Sequence, residues 1–199
     1  SNRHKNSRAG RLFVLSHGPA IFGEEKMRYE MKESKFTWSG LGDIGEGRKN
    51  LGPYLPVLVY RLFQYTLRDV LAREYDDSTA RDLYKAAGHL AGVEFTKNVL
   101  ETSSDFDFFL ANLANTLRDL KIGVLFVEKV DLEALSFILT VSEDADCSGL
   151  PVTGETVCDY DEGFISGIFE TYFRRPFAVK EIDCWATGDR PCRFTVDGI

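Results

Sequence analysis

No apolar run in the 199 residues reaches the ~18–20 that a membrane-crossing helix needs, and no signal-peptide pattern opens the chain. A bilayer span is therefore not expected, and a cytoplasmic location is. Basic residues are in deficit, with 24 Lys and Arg against 31 Asp and Glu, for a net charge of −7. Phosphate backbones and anionic lipid surfaces both select basic patches, so direct nucleic-acid binding and docking on such membranes are disfavoured. The loop with Gly40, Gly42, Gly45 and Gly47 lacks the Gly-Lys-Ser/Thr ending of a phosphate-binding loop. Neither a dinucleotide fingerprint nor a nucleophile motif is present, and no paired acid and base stand out. Histidine is scarce (His4, His17 and His89), and a lone His89 on a helix carries little weight as a general base. Cysteine numbers only four, too few for the usual disulfide-stapled secreted domain.

What remains is a chain with the makings of a substantial core: 44% of residues are hydrophobic, ordinary for one folded domain with appendages. Residues 1–50 read as an N-terminal arm and extension, basic at Arg3, His4, Lys5 and Arg8. Residues 51–199 read as the main domain. The opening Ser1-Asn2, without methionine, points to a trimmed or excised chain.

Leu55, Leu58, Val59, Leu62, Phe63, Leu67, Val70 and Leu71 mark a wide apolar stripe on a first long helix from Pro53 to Tyr75. Asp77-Ser78 offers a cap for a second helix to about Leu100. Its small residues Ala86, Ala87, Gly88, Ala91 and Gly92 predict a close helix–helix approach, inside the subunit or across a dimer. Ser103-Ser104-Asp105 caps a third helix carrying Phe106, Phe109, Leu110, Leu113, Leu117 and Leu120, with Gly123 as its end. Residues 124–127 and 135–141 read as an antiparallel hairpin. A fourth helix follows, capped by Asp159 or Asp161, with Gly163 and Gly167 allowing another close approach. Strands at about 177–184 and 191–197 complete the sheet. The fold class expected is α+β, helices covering one face of an antiparallel sheet.

The densest chemistry lies between Cys158 and Cys192. Thiolates and carboxylates are good zinc ligands, and a structural zinc site closes with four of them. Cys184 and Cys192 flank a Gly188-Asp189 turn, so a hairpin brings them face to face. Spacing alone leaves a Cys184–Cys192 disulfide as the alternative to zinc. Cys158 precedes a helix start, where free N–H groups favour a thiolate. Glu181 points away from Cys184 on a regular strand and joins it only if the strand bulges near Asp183. Cys147 is a rival for the fourth place.

Cys158, Gly163-Phe164, Gly167, Glu181-x-x-Cys184 and Gly188-Asp189-x-x-Cys192-x-Phe194 together resemble the 4-vinyl reductase domain family, over roughly residues 50–196. The resemblance implies a Bet3-like fold with a C-terminal zinc-bound hairpin. It assigns a structural Zn2+ to Cys158, Glu181, Cys184 and Cys192, leaving Cys147 as a spare thiol. It further implies a sensory or binding role for a small hydrophobic or aromatic ligand, held between helices and sheet, with occupancy passed to a partner. Phe106, Phe109, Leu113, Phe126 and Phe137 are the candidate lining residues, against the plainer reading that they fill the core. The family's phenol sensors use a histidine and a tryptophan upstream of the first zinc cysteine. No such pair lies between residues 100 and 145 here, which points to a less polar ligand. A tetrapyrrole vinyl reductase and a dimeric scaffold are the alternative functions, and a homodimer is expected.

Overall fold

Residues 34–199 are described by the structure, a computed structural model. The chain divides into two units, residues 1–40 and Leu41–Ile199, and the fold is that of the second. The expected basic arm and the apolar run at Leu12–Leu15 lie outside the described residues.

Side-chain caps set most helix starts. Asp43 accepts from the Glu46 amide at 2.8 Å and opens the single turn α1 (Ile44–Gly47). Pro56, with no amide hydrogen to lose, precedes α2 (Val57–Glu74). The cap of α3 (Asp77–Val99) is Asp76, one residue ahead of the expected pair, accepting from Thr79 at 2.8 Å. Asp105 caps α4 (Phe106–Asp119) through the Phe108 amide at 3.0 Å. Lys121, at φ 62°, takes the left-handed turn after α4, and Gly123 does not; Gly123 instead leaves room for the Val141 side chain.

Strands β1 (Val124–Asp131) and β2 (Ser136–Ser142) form the expected hairpin. Helix α5 (Asp159–Phe173) then leads to β3 (Phe177–Asp183) and β4 (Cys192–Gly198). The four strands are antiparallel in the order β1-β2-β4-β3. Period-two alternation puts Phe137 and Leu139 of β2 and Phe194 and Val196 of β4 on the covered face, where they are essentially sealed. Phe109 and Leu113 of α4 and Ile168 and Phe169 of α5 close over them. The architecture is α+β, with helices against an antiparallel sheet.

The small residues of α3 do mark a close approach, and its partner lies within the subunit. A Cβ added at Gly88 or Gly92 would run into the carbonyl oxygens of Tyr160 and Phe164. One added at Gly163 or Gly167 would run into those of Lys85 and His89. The two backbones therefore touch at four interleaved glycines, which locks α5 between α3 and the sheet.

Helix α2 departs from the expected orientation. Leu58 is 75% exposed, Leu62 63% and Phe63 66%, while Gln64 is the helix's buried side chain. The apolar stripe faces outward because the polar face makes the inward bonds. Tyr60, Arg61, Gln64, Tyr65 and Arg68 all hydrogen-bond to residues 144–159.

Candidate metal centre and adjoining cavity

The strand β3 is bulged between Glu181 and Asp183, where its register against β4 shifts. That bulge turns both Glu181 and Cys184 inward, as their shared role requires. Cys184 caps a 3-10 turn, Trp185–Thr187, and its amide donates to Thr187 Oγ1 at 3.1 Å. Gly188, at φ 106°, closes the turn in a conformation that suits glycine. The amides of Thr153 and Gly154 donate to the Ala186 carbonyl at 2.8 and 3.0 Å, and Trp185 Nε1 donates to Leu150 O at 2.9 Å. These bonds suture the hairpin turn to the loop that carries Cys147.

That loop is itself clamped by α2. Arg61 donates to the carbonyls of Ala145 at 2.7 Å and Ser148 at 2.8 Å. The Asp146 carboxylate accepts from Tyr60 at 2.6 Å and Gln64 at 2.8 Å. Cys158 precedes the first turn of α5 and is its cap by position, without a side-chain cap bond, so neither Asp159 nor Asp161 caps the helix. Asp159 instead pairs with Arg68 at 2.8 Å.

Four sulfurs converge. The Sγ atoms of Cys147, Cys158, Cys184 and Cys192 all lie within 4.8 Å of one another, and none of the four residues is more than 2% exposed. Cys158 and Cys184 stand 3.9 Å apart and Cys147 and Cys192 3.0 Å, with all four thiols free of disulfides. A tetrahedron with Zn–S bonds near 2.3 Å has edges of about 3.8 Å, so the cluster is of the size that a four-thiolate site requires. The S–H groups of Cys147 and Cys158 hold Cys184 well below the ordinary thiol value, whereas Cys147 and Cys184 push Cys158 up. A cluster that already concentrates negative charge on one sulfur is a natural cation site.

The structure brings together the three expected cysteines and adds Cys147. Glu181 adjoins the cluster: its Oε2 accepts from the Cys158 amide at 3.1 Å, and its buried Oε1 has no hydrogen-bond partner. Burial, followed by the nearby Cys184 sulfur, pushes Glu181 up to about 8.

Beside the sulfurs lies a small cavity with about 30 Å³ of open space. Its walls are apolar, chiefly Leu113, Leu139, Val141, Phe164, Ile165 and Ile168, and its polar groups are Asp144 and Asp161. Oxygens of these two carboxyls and Cys158 Sγ lie within 4.8 Å of one another, so cavity and cluster share a wall. Burial, then the neighbouring Asp146, pushes Asp144 up to about 7, and burial with Asp144 raises Asp161.

Of the five residues expected to line a pocket, Leu113 does so. Phe106, Phe109 and Phe137 sit in a filled aromatic cluster, with Phe106 5.3 Å from Phe137 and Phe109 stacked 4.1 Å from Tyr172, centroid to centroid. Phe126 is 65% exposed and touches no cavity. Asp144 and Asp161 were missed because each reads, in sequence, as an ordinary loop or helix-start aspartate. The one available signal was an excess of acidic residues around Cys147 and Cys158.

Residues 137–197 match the family model of the 4-vinyl reductase domain. An uncharacterized protein of Methanocaldococcus jannaschii is 33% identical over 105 residues, which cover 53% of this chain and 60% of that protein. The chain thus spans about three fifths of the length of that curated relative. Three solved structures share the fold. The phenol-responsive sensory domain of the transcription activator PoxR, with phenol, superposes with a TM-score of 0.55 at 17% identity, over 74% of this chain and 76% of that one. A vinyl-4-reductase family protein from Methanocaldococcus jannaschii gives 0.53 at 18%, over 84% and 99%. A trafficking protein particle complex subunit 3 from Naegleria fowleri, covalently bound to palmitic acid, gives 0.57 at 13%, over 72% and 95%. At these identities the likeness is one of fold.

Proposed function

From a chain whose residues 137–197 match the 4-vinyl reductase domain, we propose a zinc-stabilised binding module that holds a small ligand and passes its occupancy to a partner. The convergence of four buried sulfurs on one wall of an apolar cavity carries this reading. Cys147, Cys158, Cys184 and Cys192 supply the metal's ligands. Glu181 stands beside them, orienting Cys158 through its amide. With four thiolates no coordination position remains for a reacting water, so the ion is structural. It would tie together the Cys147 loop, the start of α5, the end of β3 and the start of β4.

The family match and the fold shared with a phenol-responsive sensory domain support a sensory role. A route for output is built into α2. Its polar face grips the Cys147 loop, and its outward stripe of Leu58, Leu62 and Phe63 is suited to a second copy of this chain. A self-complementary patch repeated on both subunits is how a two-fold dimer forms.

Elemental analysis and native mass spectrometry of the purified full chain test the metal. One zinc per chain is expected, with a chelator that strips it lowering the melting temperature by many degrees. Metal-free protein that melts where the loaded protein does would remove the structural role.

A further inference from the structure

The two carboxyls in the cavity wall are unusual company for the surrounding leucines and isoleucines. Asp144 is 4% exposed, and one of its oxygens is spent on the Asp146 amide at 2.6 Å. Asp161 Oδ2 is sealed from solvent and meets no hydrogen-bond donor. No Lys, Arg or His among the described residues comes within 4.0 Å of either carboxyl. The nearest basic side chain of α2, Arg61, is turned to backbone carbonyls instead. A buried acidic group without donor or counter-charge is costly, and proteins retain such groups where a ligand completes them. The adjoining sulfurs add to the deficit, because four thiolates around a divalent ion carry a net charge of −2.

We propose that the cavity selects a compact apolar ligand bearing a cationic ammonium head, with Asp161 Oδ2 and the free oxygen of Asp144 as the acceptors of that head. The proposal rests on the reading of this cavity as the ligand chamber and adds to it the ligand's chemical class. An ammonium brings three donors and a positive charge to a wall that lacks both. A hydrocarbon would leave Asp161 Oδ2 unpartnered, and a carboxylate would add a third acid to the pair. Size is bounded as well. About 30 Å³ exceeds the ~10–15 Å³ that one water needs but gives no room for a long acyl chain. The ligand body is therefore a few carbons or one small ring, seated against Leu113, Ile165 and Ile168. This reverses the less polar ligand that the missing His–Trp pair suggested.

The test uses the zinc-loaded full chain and four probes of nearly one shape: cyclopentylamine, cyclopentanol, cyclopentane and cyclopentanecarboxylate. Calorimetry and thermal shift at pH 7.5 are expected to show the amine binding at least tenfold more tightly than the alcohol or the hydrocarbon, with the carboxylate silent. Asp161→Asn is expected to erase the amine's advantage while leaving cyclopentane binding unchanged or improved, and Asp144→Asn to act in the same direction. Should the alcohol or hydrocarbon bind as well as the amine, the ammonium class fails and the chamber stands. Should none of the four bind, the chamber and this inference fail together. The probe series on the parent protein decides the matter even if either variant does not fold.

Discussion

The backbone amide of Cys158 donates to Glu181 Oε2 at 3.1 Å, a bond that joins the start of α5 to the bulged end of β3. It gives the carboxylate a positional task at the cluster while Cys147 brings the fourth sulfur. Replacing zinc by cobalt(II) makes the two ligand sets visible, because thiolate and carboxylate donors give different visible spectra. Glu181→Gln is expected to keep the four-sulfur spectrum and lose metal affinity by about 10- to 100-fold, the usual effect of removing a partner that orients a ligand. Cys147→Ser is expected to change the spectrum itself. The reverse pattern would restore Glu181 as the fourth ligand, as the family resemblance has it.

The glycines between α3 and α5 make a second prediction. In an exposed helix Gly→Ala gains about 1 kcal/mol, since alanine is the better helix former. At Gly163 the new methyl would strike the Lys85 carbonyl, which belongs to a rigid helix backbone and cannot swing aside. Overpacking of this kind costs about 1–3 kcal/mol or more and outweighs the propensity gain. Gly163→Ala should therefore lower unfolding stability by about 2 kcal/mol in urea denaturation, and Gly45→Ala, in the exposed turn α1, should lower it far less. A neutral or stabilising result at Gly163 would mean the helices are not in backbone contact.

Much of this architecture was legible in the chain. Apolar periodicity located four helices and four strands, because each buries one face and the pattern follows that face. The small-residue run of α3 announced a close approach, and Gly163 and Gly167 announced its partner. Glu181 and Cys184 could be related only through a bulge, and a bulge is there. The misreadings share a cause. Phe126 and the stripe of α2 are apolar and yet face outward, since hydrophobicity tells that a residue can be buried and not what will cover it. The cavity's acids were invisible for the complementary reason. Asp144 and Asp161 become unusual only when the loop and helix start meet across the apolar wall.

The outward stripe on α2 yields a third prediction. Contiguous large apolar side chains at Leu58, Leu62 and Phe63 exceed the scattered exposure normal for a lone subunit. Light scattering of the full chain at micromolar concentration is expected to report a dimer. The double variant Leu62→Glu, Phe63→Glu should shift it to the monomer mass with zinc content unchanged, because neither side chain reaches the cluster. A dimer that survives both charges would place the interface elsewhere.

Arg61 links the two faces of α2, and its removal is the most direct probe of that link. Its guanidinium donates to the carbonyls of Ala145 at 2.7 Å, Asp144 at 3.2 Å and Ser148 at 2.8 Å, bracketing Cys147 on both sides. Hydrogen bonds from a charged donor contribute about 1.5–3 kcal/mol each, though three on one partly buried side chain do not add in full. Arg61→Ala is thus expected to cost about 3 kcal/mol of stability in the zinc-loaded protein. If the clamp also holds Cys147 in place, zinc affinity by competition with a chromophoric chelator should fall at least tenfold. Arg61→Lys, which supplies charge without the planar fork, should recover only part of that loss. A variant destabilised to this extent but with parental zinc affinity would show that α2 braces the loop without governing the sulfur cluster, and the route from metal centre to outward face would have to run through another element.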